Sequence, residues 1–162
     1  MTGADTASEP VHFLLLGNAK EHIFRAIEYF GIQKVVLFTS QHLMSENQPF
    51  IEQLEREGIS VLETVFLDPF EHVALERMTQ RMLEAYDLHS NGGAHRVIAG
   101  LTGGTNLMVL AMGMMCLAAG LKSHYVVHNE TNDLIEIDFF SNLAQNMDLS
   151  EIQRSILPGA FR

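Results

Sequence analysis

The chain has 162 residues, is 47% hydrophobic, and carries a formal charge of −10 from twenty acidic and ten basic side chains. Apolar residues spread along the whole length exclude a disordered, collagen-like or coiled-coil protein, and the acidic balance excludes a broad electrostatic grip on duplex DNA or an anionic membrane. The length suits one domain, and the single cysteine, Cys116, can form neither an internal disulfide nor a cysteine-based zinc site, which fits a reducing compartment.

The first ten residues, MTGADTASEP, lack the basic start and apolar stretch of a secretory signal and are expected to form a disordered tail of a cytoplasmic protein. His12 to Leu16 is a short apolar run that ends at Gly17 and Asn18, and Ile23, Phe24, Ile27 and Phe30 follow at helical spacing. The unit then recurs. Lys34 to Thr39 predicts a second strand, and Phe50, Ile51, Leu54 and the closing Gly58 predict a second amphipathic helix. A third strand, Ile59 to Leu67, leads through Asp68 and Pro69 into a helix from about Phe70 to Leu88, with Asp68 resembling a cap and Pro69 the first helical position.

After the break HSNGGA, residues 89–94, Arg96 to Leu101 predicts a fourth strand, and the turn Thr102 to Thr105 opens the longest apolar run. That run, Leu107 to Leu121, has 15 residues with two glycines. It falls short of the roughly 18–20 that cross a bilayer, so it reads as a buried helix and no membrane partner is expected. Lys122 to His128 predicts a fifth strand, and alternation within Leu134 to Phe140 predicts an antiparallel partner for it on a half-exposed edge. Repeated strand–helix units imply crossover connections. The predicted fold class is therefore α/β: a Rossmann-like three-layer sandwich, with a mainly parallel sheet and a C-terminal antiparallel edge hairpin. Residues 141–162 leave the alternation, although Leu149, Ile152, Ile156 and Leu157 could form one short amphipathic helix.

In such folds ligands sit beyond the carboxyl ends of the strands, where helix N-terminal amides point outward. Two turns qualify. Thr102, Gly103, Gly104, Thr105 and Asn106 combine glycines, which let a phosphate or ribose approach the backbone, with hydroxyl and amide donors. A bare TGGT is equally a tight turn with Thr105 as a helix cap. The second turn, Gly17, Asn18, Ala19 and Lys20, offers an amide and a cation. Neither turn is GxGxxG or GxxxxGK[ST], and Thr39 and Ser40 stand where a dinucleotide site would hold an acidic ribose partner, so neither an ordinary NAD site nor a P-loop is expected. No cofactor and no metal site are expected either. None of the eight histidines lies in HExxH or beside a cysteine pair, His124 and His128 would stand about 13 Å apart on a strand, and all eight read as surface or half-buried groups.

The segments FLLLGNAKEHIFRAIEYFGIQKVVLFTS (13–40) and IAGLTGGTNLMVLAMGMMCLAAG (98–120) resemble the two motifs of the CARF domains, the CRISPR-associated Rossmann folds that sense cyclic oligoadenylates. The resemblance covers residues 11–140 and implies a homodimer whose paired turns hold a ring, with cyclic tetra-adenylate the expected ligand, in type III CRISPR antiviral signalling. The residues it implies as ligand contacts are Gly17, Asn18, Ala19, Lys20, Thr39, Thr102, Gly103, Gly104, Thr105 and Asn106. Some CARF proteins also cut the ring without metal, by attack of a ribose 2′-hydroxyl on the neighbouring phosphate. Such relatives often place a serine or threonine in the first turn and a lysine after the GGT; here those places hold Asn18 and Asn106, and no catalytic residue can be named. Family members commonly carry an effector or DNA-binding domain, and LSEIQRSIL (149–157) is similar to the opening helix of a winged helix-turn-helix, which makes the sensing half of a transcription regulator a further expectation.

Overall fold

The computed structural model describes residues 8–139 and 141–142. Strands and helices alternate through them as β1 (Val11–Leu16), α1 (Glu21–Phe30), β2 (Lys34–Ser40), α2 (Met44–Arg56), β3 (Ser60–Leu67), α3 (Ala74–Ser90), β4 (Val97–Gly100), α4 (Asn106–Ala119), β5 (Lys122–Val126) and β6 (Leu134–Ile137). The six strands form one sheet in the order β3-β2-β1-β4-β5-β6. Every neighbouring pair is parallel except β5–β6, where Ser123 lies opposite Ile137 and Val126 opposite Leu134. The fold is thus the expected Rossmann-like α/β sheet with its antiparallel edge.

The reason lies in how completely the central strands are apolar. All six residues of β1 are buried, as a strand covered on both faces requires. Leu14 and Leu16 pack with Ile23 and Ala26 of α1 and with Phe50, Ile51 and Leu54 of α2. Phe13 and Leu15 point the other way, toward Met78 and Met82 of α3 and Met108, Met112 and Met115 of α4. The chain lays down β1, β2 and β3 in one direction and then returns to the far side of β1 with β4, so the strand order reverses between β1 and β4.

Three local expectations change. The third helix begins at Ala74 rather than near Phe70, because the Asp68 carboxylate accepts the N–H of Phe70 at 3.0 Å and closes a short turn instead of capping a helix. The apolar helix α4 is buried on one side only: Met108, Ala111, Met112, Met115 and Cys116 are inside, whereas Leu110 and Met114 are 52% and 44% exposed. Three histidines, His12, His22 and His124, are buried, since each sits on an inward face of its strand or helix. The expected C-terminal helix, Leu149 to Leu157, lies outside the described residues, as do residues 1–7 of the tail. Among the described residues no helix is long and apolar enough to cross a membrane.

Candidate functional site

Reversal of the strand order brings the turns after β1 and β4 together at the carboxyl edge of the sheet, the place where open α/β sheets form a crevice. The two turns touch through their backbones. A Cβ built on Gly17 would stand 2.8 Å from the Gly104 nitrogen and 3.1 Å from its Cα, so no larger residue fits without parting the turns. Gly103 is tighter still: its φ is +102°, and a Cβ there would collide with the His22 ring and lie 2.6 Å from the Leu15 carbonyl oxygen. A small cavity of about 100 Å³ opens at this junction, lined by Leu16, Gly17, Asn18, Ser40, Leu43, Gly104, Thr105 and Met108.

The two helices behind the turns differ in what they offer an anion. At α1 the Glu21 carboxylate accepts the N–H of Lys20 at 3.0 Å, and these backbone amides hold its carboxyl below the usual carboxylate range. A negative charge therefore already occupies that helix start. At α4 the first turn contains no acidic residue, and Thr105 caps the helix through Oγ1, which accepts the N–H of Met108 at 3.2 Å. The dipole of this 14-residue helix is thus left to act outward.

The site residues expected from sequence divide into an open edge and a supporting layer. Asn18, Ala19, Gly104 and Asn106 are exposed, around the buried Gly17 and the half-buried Gly103 and Thr105. Thr102 is half-buried, and its hydroxyl accepts the N–H of Val126 at 2.7 Å, tying the second turn to the end of β5. Lys20 turns inward: its ammonium donates to the Gly17 carbonyl at 2.5 Å, to the Asn18 carbonyl at 3.2 Å and to Asn47 Oδ1 at 2.5 Å. Burial lowers the pKa of this amine from its ordinary value, partly offset by the nearby Glu21. Thr39 is fully buried and accepts from Asn47 Nδ2 at 2.9 Å, so it lies behind the turn rather than on the open edge.

Asn47 and His22 are supports that the sequence reading did not single out. Asn47 is buried on the inward stripe that also carries Phe50, Ile51 and Leu54, and a polar residue at that helical spacing was the available signal. His22 occupies the buried face of α1 beside Ile23 and Ala26, and its Nε2 donates to the Leu15 carbonyl at 2.8 Å under the Gly103 turn. Burial lowers its pKa, and the bond to Leu15 partly restores it. Asn47→Leu is expected to free the Lys20 ammonium and loosen the first turn. Removing one buried partner of such a pair costs about 1–3 kcal/mol, which a denaturant melt of the variant against wild type would read.

A larger cavity, about 770 Å³, lies at the opposite edge of the sheet, among Pro10, Tyr86, Arg96, Leu121 and Lys122, and shares no residue with the two turns. Size alone therefore does not locate the candidate site; the glycine contact at the strand reversal does.

No family model matches the chain, and no curated protein matches it by sequence. Solved structures do match it in fold. Csm6 from Enterococcus italicus, bound to cyclic hexa-2′-fluoro-hexa-dAMP, superposes with a TM-score of 0.71 at 10% identity, over 93% of this chain and 45% of that one. Can2 from Sulfobacillus thermosulfidooxidans, in complex with cyclic tetra-adenylate, gives 0.62 at 17% identity over 81% and 35%. A type III CRISPR defence DNA nuclease activated by cyclic oligoadenylate gives 0.64 at 20% identity over 80% and 20%. The chain spans less than half the length of each of these proteins. What the likeness shows is the fold, a Rossmann-like α/β domain.

Proposed function

We propose that this chain binds a cyclic oligoadenylate, with cyclic tetra-adenylate the first candidate, across a homodimer in which two copies of the turn pair face one ring, as a sensor or regulator in type III CRISPR signalling. The observation that carries the reading is the backbone contact between Gly17 and Gly104, which leaves a side-chain-free, amide-rich junction beside the unblocked start of α4. Amides there act on a phosphate at contact distance, whereas the net charge of −10 is screened beyond roughly 8 Å at physiological salt. The fold neighbours described with cyclic oligoadenylates supply the ligand class.

A cavity of about 100 Å³ accommodates a phosphate or a ribose and not a whole ring, which favours a ring shared between two copies. The exposed face of α4 suits that pairing. The exposed Leu110 and Met114 and the half-buried Leu117 recur at spacings of four and three along one side of the helix whose first turn borders the site. Introducing Leu110→Glu with Met114→Glu is expected to convert a dimer to a monomer in analytical ultracentrifugation and to lower ring affinity at least tenfold. A wild-type chain that sediments as a monomer in the presence of ring would overturn the dimer.

Ring binding without cleavage is the preferred reading because the ammonium of Lys20 is committed to Gly17, Asn18 and Asn47. A transferable charge for the developing phosphorane would have to come from elsewhere. The deciding experiment incubates the protein with cyclic tetra-adenylate without added metal, and then examines bound and free fractions by chromatography and mass spectrometry. Intact ring that travels with the protein is the expected result. Linear product ending in a cyclic phosphate would make the chain a ring nuclease, and absence of binding to both the tetra- and hexa-adenylate rings would overturn the reading.

A further inference from the structure

We infer that Phe70, braced by His42, is a stacking platform for an adenine base of the ligand, set beside the phosphate-binding junction. The inference rests on the ring-binding reading and adds to it the residues that meet the base.

Phe70 is 73% exposed, the most of any large apolar side chain among the described residues. An isolated exposed phenylalanine needs no explanation, but this one is held in place. The Asp68 carboxylate fixes its backbone N–H at 3.0 Å through Oδ1 and takes the Gln41 Nε2 donor at 3.0 Å through Oδ2. The His42 ring stands 5.3 Å from the Phe70 ring, tilted by 57°, with Nε2 at 3.6 Å from Asp68 Oδ1. A single carboxylate thus ties together the loops after β2 and β3, and an aromatic face is presented to solvent with its backbone already ordered. Pre-ordering of that kind lowers the entropy cost of binding a planar group.

Position decides what planar group it meets. The platform stands at the carboxyl edge of β2 and β3, the same edge that carries the junction after β1 and β4. Ser40 and Leu43 line the small cavity at Gly17 and Gly104, and Gln41 and His42 are the two residues between them. Strands β1 and β3 are two places apart, about 10 Å at the usual spacing, which is the reach of one nucleotide from phosphate to base. Gln41 and Asp68 also border a second cavity of about 330 Å³, closed by Phe66, Met78, Arg77 and Arg81. Neither Phe70 nor His42 forms its wall, but Asp68 does and holds the Phe70 backbone, so polar groups lie next to the platform in a cleft at the small end of ligand size. The charges here balance, Asp68 and Glu71 against Arg77 and Arg81 with Arg77 paired to Glu71 at 3.0 Å, which suits the hydrogen-bonding edge of a neutral base.

Isothermal titration of the full chain with cyclic tetra-adenylate and cyclic hexa-adenylate tests this, with Phe70→Ala and Phe70→Tyr as variants. Phe70→Ala is expected to weaken binding of the ring that wild type takes by at least fivefold, the lower end of what one stacked base contributes. Phe70→Tyr, which keeps the π-face, is expected to bind within twofold of wild type. The side chain is exposed, so the circular dichroism and melting temperature of both variants should match wild type. Equal affinity of Phe70→Ala and wild type would overturn the platform while leaving ring binding intact. Failure of wild type to take either ring would overturn the ring-binding reading and the platform with it.

Discussion

Gly17→Ala is expected to weaken ring binding at least about 100-fold, an effect out of proportion to one methyl group. Gly17 does not have a positive φ, so the conformation itself admits alanine and only the contact is at issue. The added Cβ would stand 2.8 Å from a backbone nitrogen of Gly104, which cannot rotate away as a side-chain tip would. The turns must part. If two amide-to-phosphate hydrogen bonds are lost, at roughly 1.5–3 kcal/mol each, the loss of affinity passes two orders of magnitude. Overpacking of this size costs the fold about 1–3 kcal/mol, so the variant should remain folded at room temperature. Gly104→Ala perturbs the same contact differently: its Cβ would meet the flexible end of Met108, at 2.9 Å from the methyl and 3.1 Å from the sulfur, but the φ of +67° strains any residue with a Cβ there. A calorimetric titration in which Gly17→Ala binds cyclic tetra-adenylate as wild type does would remove the turn contact from the site.

How much of this could be read from the chain itself follows from the kind of signal each feature leaves. The sheet was legible because β1, β2 and β4 are short apolar runs ended by glycine or polar turns, and strand–helix alternation leaves few ways to connect them. The turn after β4 was legible because a glycine pair between an apolar strand and an apolar helix has a physical use, whereas the other, with the single Gly17, stood out mainly through its place after β1. Their mutual contact was not legible: it depends on β1 and β4 being neighbours, which places residues 17 and 104 side by side although they are 87 positions apart in the chain. The inward turn of Lys20 was hidden for a similar reason, since its partner Asn47 belongs to another helix. Thr39 came only with the family resemblance, and the hydrogen bond it accepts from Asn47 could not be read from the chain because side-chain direction on a strand is set by register. The methionines of α4 read as core or dimer packing, but which side stays open was not legible, because a helix that is apolar all round carries no amphipathic asymmetry.

Acid lability is the second large effect expected, and it originates in a histidine cluster beneath α1. His12 of β1 and His124 of β5 are almost fully buried, with ring centroids 6.4 Å apart and with the Phe30 ring 5.2 and 5.0 Å from them. Neither nitrogen of His124, nor Nδ1 of His12, has a hydrogen-bond partner among the described residues. Burial pushes both imidazoles down to about 4, each reinforced by the charge of another histidine, His124 acting on His12 and His22 on His124. Because the folded pKa lies below the unfolded value of 6.5, the unfolded chain binds more protons between those limits, and stability falls as pH drops from about 6.5 toward 4. Each histidine contributes roughly 3 kcal/mol across that window, less where the two titrations are coupled, against a typical total of about 5–15 kcal/mol. Urea titrations at pH 7.5, 6 and 5 should therefore show the midpoint declining steeply below pH 6.5. His124→Leu, which removes a titrating group and two unpartnered nitrogens at similar volume, should unfold at the same or higher urea at pH 7.5 and lose about half of the acid-dependent decline. A wild-type midpoint that stays constant from pH 7.5 to 5 would mean that the cluster accepts protons without unfolding, and that the imidazoles under α1 are reached by water the fold does not otherwise admit.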